Sequence, residues 1–294
     1  MTFVEAEIAS QPDCWRRAAE LATVRADALP AHGERIAVVG CGTSFYMAQA
    51  YAALRESNGL GESDAFAASE FPTGRRYDRV VALTRSGTTT EVLELLGRSH
   101  GTTRTVTVTA VPGAAVRAVT DDLVELGFAD EESVVQTRFA TTALTLFRAH
   151  LGLHTDAAVS DAESALAEPL PEGLTDATQL SFLGRGWTVG LANEAALKMK
   201  EASLAWTESY PAMEYRHGPI SIATDTTATW MFGPAPTGLA EQVRATGARW
   251  VESGLDPLAD LIRVQRLAVA RAGAAGLDPD RPRHLTRSVV LHDA

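Results

Sequence analysis

Cysteine is nearly missing from this chain of 294 residues, where only Cys14 and Cys41 occur. Two thiols this far apart leave no material for a disulfide framework or a clustered thiolate metal site, which fits a reducing compartment. Basic residues are also in deficit, 26 against 37 acidic ones, for a formal net charge of -11. A surface that holds nucleic acid or an anionic membrane needs a basic patch, so the balance argues against both partners. No apolar run approaches the roughly 18 residues of a spanning helix. Polar and acidic residues break up Met1 to Ile8, so no leader is read there. The chain is expected to be soluble, unexported and cytoplasmic. A small anion remains admissible, because local backbone N–H groups can hold one phosphate whatever the global charge.

Several chemical signatures are missing as well. Gly40-Cys-Gly-Thr-Ser44 has a glycine pair but not G-x-G-x-x-G, and no acidic residue closes the second strand, so no nicotinamide or flavin is called for. Thr84 to Thr90 has one glycine and no Lys-Ser/Thr ending, unlike a nucleoside-triphosphate loop. His217 stands outside any Cys/His ligand spacing, so no metal is expected. Gly-x-Ser-x-Gly is absent, and neither Ser-His-Asp nor Cys-His catalysis has a context. No organic cofactor is expected either.

What is present is an ordinary globular composition, 46% hydrophobic and 21% charged, with length enough for two domains or one large one. Apolar spacing around Ile8, Trp15, Ala18, Leu21 and Val24 predicts a helix within residues 3 to 29, with Pro12 near its start. A strand-turn-helix grammar follows. Strands are predicted at 35–40, 79–83, 103–108 and 122–126, and helices at 45–56, 91–98 and 137–151. The grammar restarts with strands at 179–183, 228–232 and 249–252 and helices after Thr188, at 239–246 and at 258–275. The expectation is an α/β chain of two doubly wound, mainly parallel-sheet subdomains, each a three-layer α/β/α arrangement. Its boundaries are a helical segment 1–34, a first subdomain 35–155, a connection 156–178 and a second subdomain 179–294. Ligands of such sheets bind at the carboxyl ends of the strands.

Two hydroxyl-rich turns stand at those ends, Cys41 to Ser44 and Thr84 to Thr90. Each hydroxyl can serve as a helix cap, and each turn can equally surround a phosphate monoester. Glu194, Lys198 and Glu201 lie four and three positions apart, on one face of a predicted helix. On spacing alone this is a solvated ion pair worth a few tenths of a kcal/mol. Its place after a glycine loop and upstream of His217-Gly-Pro219 favours two carboxylates and an ammonium arranged to move protons.

Taken together, Glu7-Ile-Ala-Ser-Gln-Pro12, Gly40-Cys-Gly-Thr-Ser44, Ser86-Gly87, Gly184-Arg-Gly186, Glu194 to Glu201, His217-Gly-Pro219 and Pro282-Arg283 resemble the sugar-isomerase (SIS) family. They are most similar to the isomerase half of glucosamine-6-phosphate synthase and its stand-alone relatives. The resemblance implies a phosphate held by Ser44, Thr84, Ser86 and Thr89, with Cys41, Thr43 and backbone of Arg85 and Val134 nearby. It implies Glu201 as the base at C2 of an opened hexose 6-phosphate, with Glu194 and Lys198 in support. It also implies His217 as the ring-opening histidine, lent by the second subunit of a homodimer. The synthase's glutamine-hydrolysing domain has no counterpart here, so amide nitrogen transfer is not expected.

Two departures follow from the same comparison. Arg287 stands where the family isomerases carry a tail lysine, and an arginine will not form an imine. Glu131 to Arg138 replaces a run of small residues and Ser-Thr-Lys. These departures place a dehydratase acting on N-acetylglucosamine 6-phosphate ahead of an isomerase or deaminase acting on glucosamine 6-phosphate. A non-catalytic sugar-phosphate sensor is placed third.

Overall fold

The computed structural model describes residues 1–291; residues 292–294, included in the boundary 179–294, lie outside the described residues. Two helices open the chain, α1 (Phe3–Ala9) and α2 (Gln11–Val24). The first sheet is built from β1 (Ile36–Gly40), β2 (Ser63–Ala67), β3 (Arg79–Leu83), β4 (Arg104–Thr109) and β5 (Asp122–Glu125). Between and after these strands come α3 (Thr43–Ser57), α4 (Thr90–Ser99), α5 (Ala114–Arg117) and α6 (Arg138–His150). Helix α7 (Asp156–Ala167) leads to β6 (Gln179–Gly184), α8 (Thr188–Ser203), β7 (Thr207–Pro211), β8 (Thr227–Met231), α9 (Leu239–Ala245), β9 (Arg249–Val251) and α10 (Pro257–Ala274).

The strand orders are β2-β1-β3-β4-β5 and β7-β6-β8-β9, and every pairing is parallel. In each sheet the order reverses beside its first strand, between β1 and β3 and between β6 and β8. That reversal opens a crevice at the carboxyl ends.

Alternation along β1 shows how the layers form. Ile36 and Val38 face an interior cluster, while Ala37 and Val39 face a second cluster under α4. The interior cluster joins Trp15, Tyr51 and Phe147 to Phe182, Leu191 and Leu258, so both sheets share one core. Tyr51 stacks on Phe147 with ring centroids 4.0 Å apart.

Helices α3 and α8 fasten the halves to each other. A Cβ on Gly190 would lie 2.5 Å from the Tyr46 carbonyl oxygen and 2.8 Å from the Ala50 nitrogen, so only glycine permits this approach. Asn193 Nδ2 donates to Gln49 Oε1 at 2.8 Å beside it.

Three features differ from the sequence-based expectation. The N-terminal helix is two helices that meet at Ser10, because Pro12 lacks the N–H that would carry one helix through. Strands β2 and β7 went unread: both are edge strands with mostly half-exposed residues, and neither is an apolar run. Helix α7 lies inside the stretch assigned to a connection, with Ala162 and Ala165 buried.

Candidate active site

The two hydroxyl turns occupy neighbouring carboxyl ends in the first sheet. After β1, Gly42 takes a positive φ of 54° and α3 begins with Thr43 and Ser44, both buried. A Cβ on Gly40 would fall 2.7 Å from the Ser44 carbonyl carbon, so the helix starts hard against the strand. Cys41 is half-buried in this turn, and burial pushes its thiol pKa up.

After β3, Thr84 is buried and its Oγ1 has no hydrogen-bond partner among the described residues. An orphaned buried hydroxyl costs free energy and is a natural contact for a ligand oxygen. Ser86 Oγ donates to Ser288 Oγ at 3.1 Å, Thr88 Oγ1 reaches the same oxygen at 3.0 Å, and Thr89 Oγ1 stands 3.5 Å from it. Thr90 N donates to Val289 O at 3.2 Å. The C-terminal segment therefore lies across the second hydroxyl turn.

The acid-base stripe is enclosed rather than solvated, with Glu201 alone partly exposed. Glu194 and Lys198 are each 1% exposed, and the Lys198 ammonium stands 3.5 Å from Glu194 Oε1 while donating to Glu201 Oε2. Burial alone would lower the lysine pKa, but the two carboxylates outweigh it and the net shift is upward. Burial raises the Glu194 carboxyl to about 8 against the pull of Lys198, and Glu201 adds to the rise. One ammonium cannot fully offset the buried Glu194 and the partly exposed Glu201 carboxylates together, and a neutral Glu194 leaves a balanced Lys198–Glu201 pair. Thr43 stands beside the Glu194 carboxyl without completing a hydrogen bond of regular geometry. Thus the first hydroxyl turn and the acid-base stripe meet.

Glu201 borders a cavity of about 160 Å³ shared with Leu204, Asp278, Arg281 and Arg283. A larger groove of about 770 Å³, lined by α1, α7 and α10 residues, contains none of these acid-base groups.

Other expected site residues are placed differently. The Arg85 guanidinium donates to the carbonyls of Ser133 at 3.0 Å, Val134 at 3.2 Å and Arg287 at 2.9 Å, and faces Glu131 at 3.4 Å. Its side chain thus ties down the loop before α6 and the C-terminal segment. The Val134 N–H is already taken by Asp280 O at 3.2 Å. Arg287 directs its guanidinium onto Asp130 and the Glu131 carbonyl. His217 ends a short 3₁₀ turn (Glu214–His217), is exposed, and its imidazole makes no hydrogen bond among the described residues.

Three contributors were given no role of their own in the sequence reading, although Glu7 and Glu131 stood in segments named there. Glu131 accepts from Thr137 N at 2.6 Å and Arg138 N at 2.8 Å, holding the start of α6. Glu7 is buried and accepts from Glu132 N at 2.6 Å and Ser133 N at 3.2 Å. Tyr46, one turn into α3, lies within electrostatic reach of Glu194, Glu201 and Lys198. Its one readable signal was its spacing of three from Thr43, which puts both on one helix face.

Comparison with known proteins bears on this geometry. No family model matches the chain. It is 27% identical over 296 residues to the isomerizing glutamine–fructose-6-phosphate aminotransferase of Sulfolobus acidocaldarius, covering 87% of this chain and 50% of that protein. The chain thus spans about half the length of the curated relatives it matches. Among solved structures, glucosamine-6-phosphate deaminase from Thermotoga maritima superposes with a TM-score of 0.83 at 23% identity, covering 99% of this chain and 100% of that one. Tagatose-6-phosphate ketose/aldose isomerase from Escherichia coli gives a TM-score of 0.75 at 18% identity, covering 99% and 96%. By sequence over most of its length and by fold over nearly all of it, the chain is similar to the sugar-isomerase (SIS) half of these aminotransferases and to stand-alone sugar-phosphate proteins of that fold.

Proposed function

We propose that the chain is an enzyme of sugar-phosphate isomerase or deaminase type that removes the C2 proton of an open-chain amino-sugar 6-phosphate. The observation that carries this reading is the stripe of buried Glu194 and Lys198 with partly exposed Glu201, packed beside a hydroxyl-lined crevice. Ser44, Thr84, Ser86 and Thr89 hold the phosphate in this reading, supported by the unpaired Thr84 hydroxyl. Lys198 Nζ stands 3.5 Å from Glu194 Oε1 and donates to Glu201 Oε2, so both carboxyl groups act at one end of the bound sugar.

The C1 aldehyde acidifies the C2 proton, and Glu201 takes it to give an enolate. Lys198 holds the Glu201 carboxylate in place by its hydrogen bond. Glu194, largely neutral at pH 7, keeps the buried charge balanced. Return of the proton to C1 gives a ketose, and with a free amine at C2 the resulting imine hydrolyses to release ammonia. The activities named for the relatives favour this outcome.

A second outcome is β-elimination of the C3 hydroxyl as water, which an N-acetyl group at C2 would favour because ammonia could not leave. The observation for it is Arg287, which brings no amine to the sugar and is engaged by Asp130 and Glu131.

The test is incubation with glucosamine 6-phosphate and with N-acetylglucosamine 6-phosphate, followed by product mass and ammonia assay. Ketose with ammonia supports the first outcome, and loss of one water supports the second. Glu201→Gln is expected to abolish turnover while sugar-phosphate binding persists, and full activity in that variant would sink the assignment.

A further inference from the structure

Glu201 can remove a proton from C2 only if negative charge is accepted at O1 in the same step. In the proposed reading, which this inference rests on, the charged side chains of the stripe are already committed. Lys198 donates to Glu201 and faces Glu194, and Arg287 is held by Asp130 and Glu131. Glu194, neutral but 1% exposed, is enclosed, so a neutral donor with a free proton on the open side of the stripe is what the site still requires.

The α3–α8 joint supplies one. Gly190 brings the Tyr46 backbone against α8, one helical turn before Glu194, and Thr43, one turn before Tyr46, stands beside the Glu194 carboxyl. Tyr46 therefore stands at the joint itself, with its phenol within electrostatic reach of Glu194, Glu201 and Lys198. Its ring packs against Phe45, with centroids 5.7 Å apart. The side chain is half-buried and its hydroxyl has no hydrogen-bond partner among the described residues. Burial, then Glu194 and Glu201, raise its pKa, so the phenol stays protonated and able to donate at neutral pH.

We propose that Tyr46 is a catalytic residue whose phenol donates to O1 of the open-chain sugar as Glu201 removes the C2 proton. The C2–H electron pair becomes the C1=C2 bond, the carbonyl π pair moves to O1, and O1 takes the phenolic proton to leave a tyrosinate. In isomerisation the tyrosinate takes a proton from the C2 amine or hydroxyl as Glu201 returns its own proton to C1. In elimination it takes back the O1 proton as the C1 carbonyl re-forms, the C1=C2 pair moves to C2=C3, and the C3 hydroxyl leaves as water with the proton held by Glu201. The step needs no oxidant, reductant or co-reactant. It also precedes the branch between the two outcomes, so it serves either.

The experiment compares the wild-type chain with Tyr46→Phe, using glucosamine 6-phosphate or N-acetylglucosamine 6-phosphate deuterated at C2. Wild type is expected to show a primary isotope effect on turnover or loss of deuterium to water. If it shows neither, the Glu201 reading and the Tyr46 proposal are both overturned. Tyr46→Phe is expected to lower kcat about 100-fold, with KM within about threefold, an unchanged thermal midpoint and an isotope effect at least as large. A wild-type kcat in Tyr46→Phe overturns the role of Tyr46 alone. A fall in kcat accompanied by a lowered thermal midpoint also overturns it, because that pattern marks a structural residue.

Discussion

Glu194 shows how burial turns an ordinary residue into a functional one. With its carboxyl raised from the usual range to about 8, the folded chain keeps a proton there that the unfolded chain has already lost above about pH 4.5. Between those values the native state binds more protons than the unfolded state, so stability falls as pH rises through the window. Glu194→Gln removes the titration. The thermal midpoint of wild type is expected to drop between pH 5 and pH 8 by several degrees more than that of the variant, as calorimetry would read. Parallel curves for the two would show that Glu194 titrates normally. The i, i+4 spacing of Glu194 and Lys198 was legible in the sequence, whereas their burial was not. A solvated surface pair has the same spacing, and what distinguishes the two is the α3 helix packed on top, some 150 positions earlier in the chain.

At the scale of elements, the joint between α3 and α8 sets the geometry of the site. Gly190→Ala forces a methyl to within 2.5 Å of the Tyr46 carbonyl oxygen, so the helices must separate. Overpacking of this kind costs about 1–3 kcal/mol. The same separation carries Thr43 and Tyr46 away from Glu194, so activity should fall more steeply than stability. Urea unfolding and steady-state assay of one preparation would check both, and wild-type values for the pair would show that the contact is slack. The central strands β1, β3 and β6 were legible because they are apolar runs ending at or near glycine or a hydroxyl turn. Edge strands β2 and β7 carry polar residues on half-open faces, and their pairing partners alone make them strands. The close approach at Gly190 carries no motif at all, so no reading of one segment could reveal it.

For the whole molecule, we propose that His217 acts in the site of a second copy of the chain. The structure brings Glu194, Lys198 and Glu201 together and leaves His217 exposed. Trp206 (74%) and Ile222 (44%) line one cavity, and Met213 (47%) is exposed beyond the far end of β7. A homodimer that lends His217 to its partner's site accounts for both observations. Mixing Glu201→Gln with His217→Ala chains, after denaturing and refolding them together, should recover about a quarter of wild-type activity, because random pairing gives half the dimers one complete site. No recovery, with dimers confirmed by light scattering, would place His217 in the site of its own chain or outside catalysis.

The hub at Arg85 adds a consequence in time. Its partners lie 46 to 49 residues away in the loop before α6 and 202 residues away in the C-terminal segment. The entropy of closing a loop grows with its length, and long-range contacts form once shorter ones have shrunk the search. β1 and β3 can pair, and α3 can dock, before that guanidinium has anything to hold. The chain would then acquire its shape first and its competence afterwards, when the segment around Arg287 reaches back across 202 positions to Arg85.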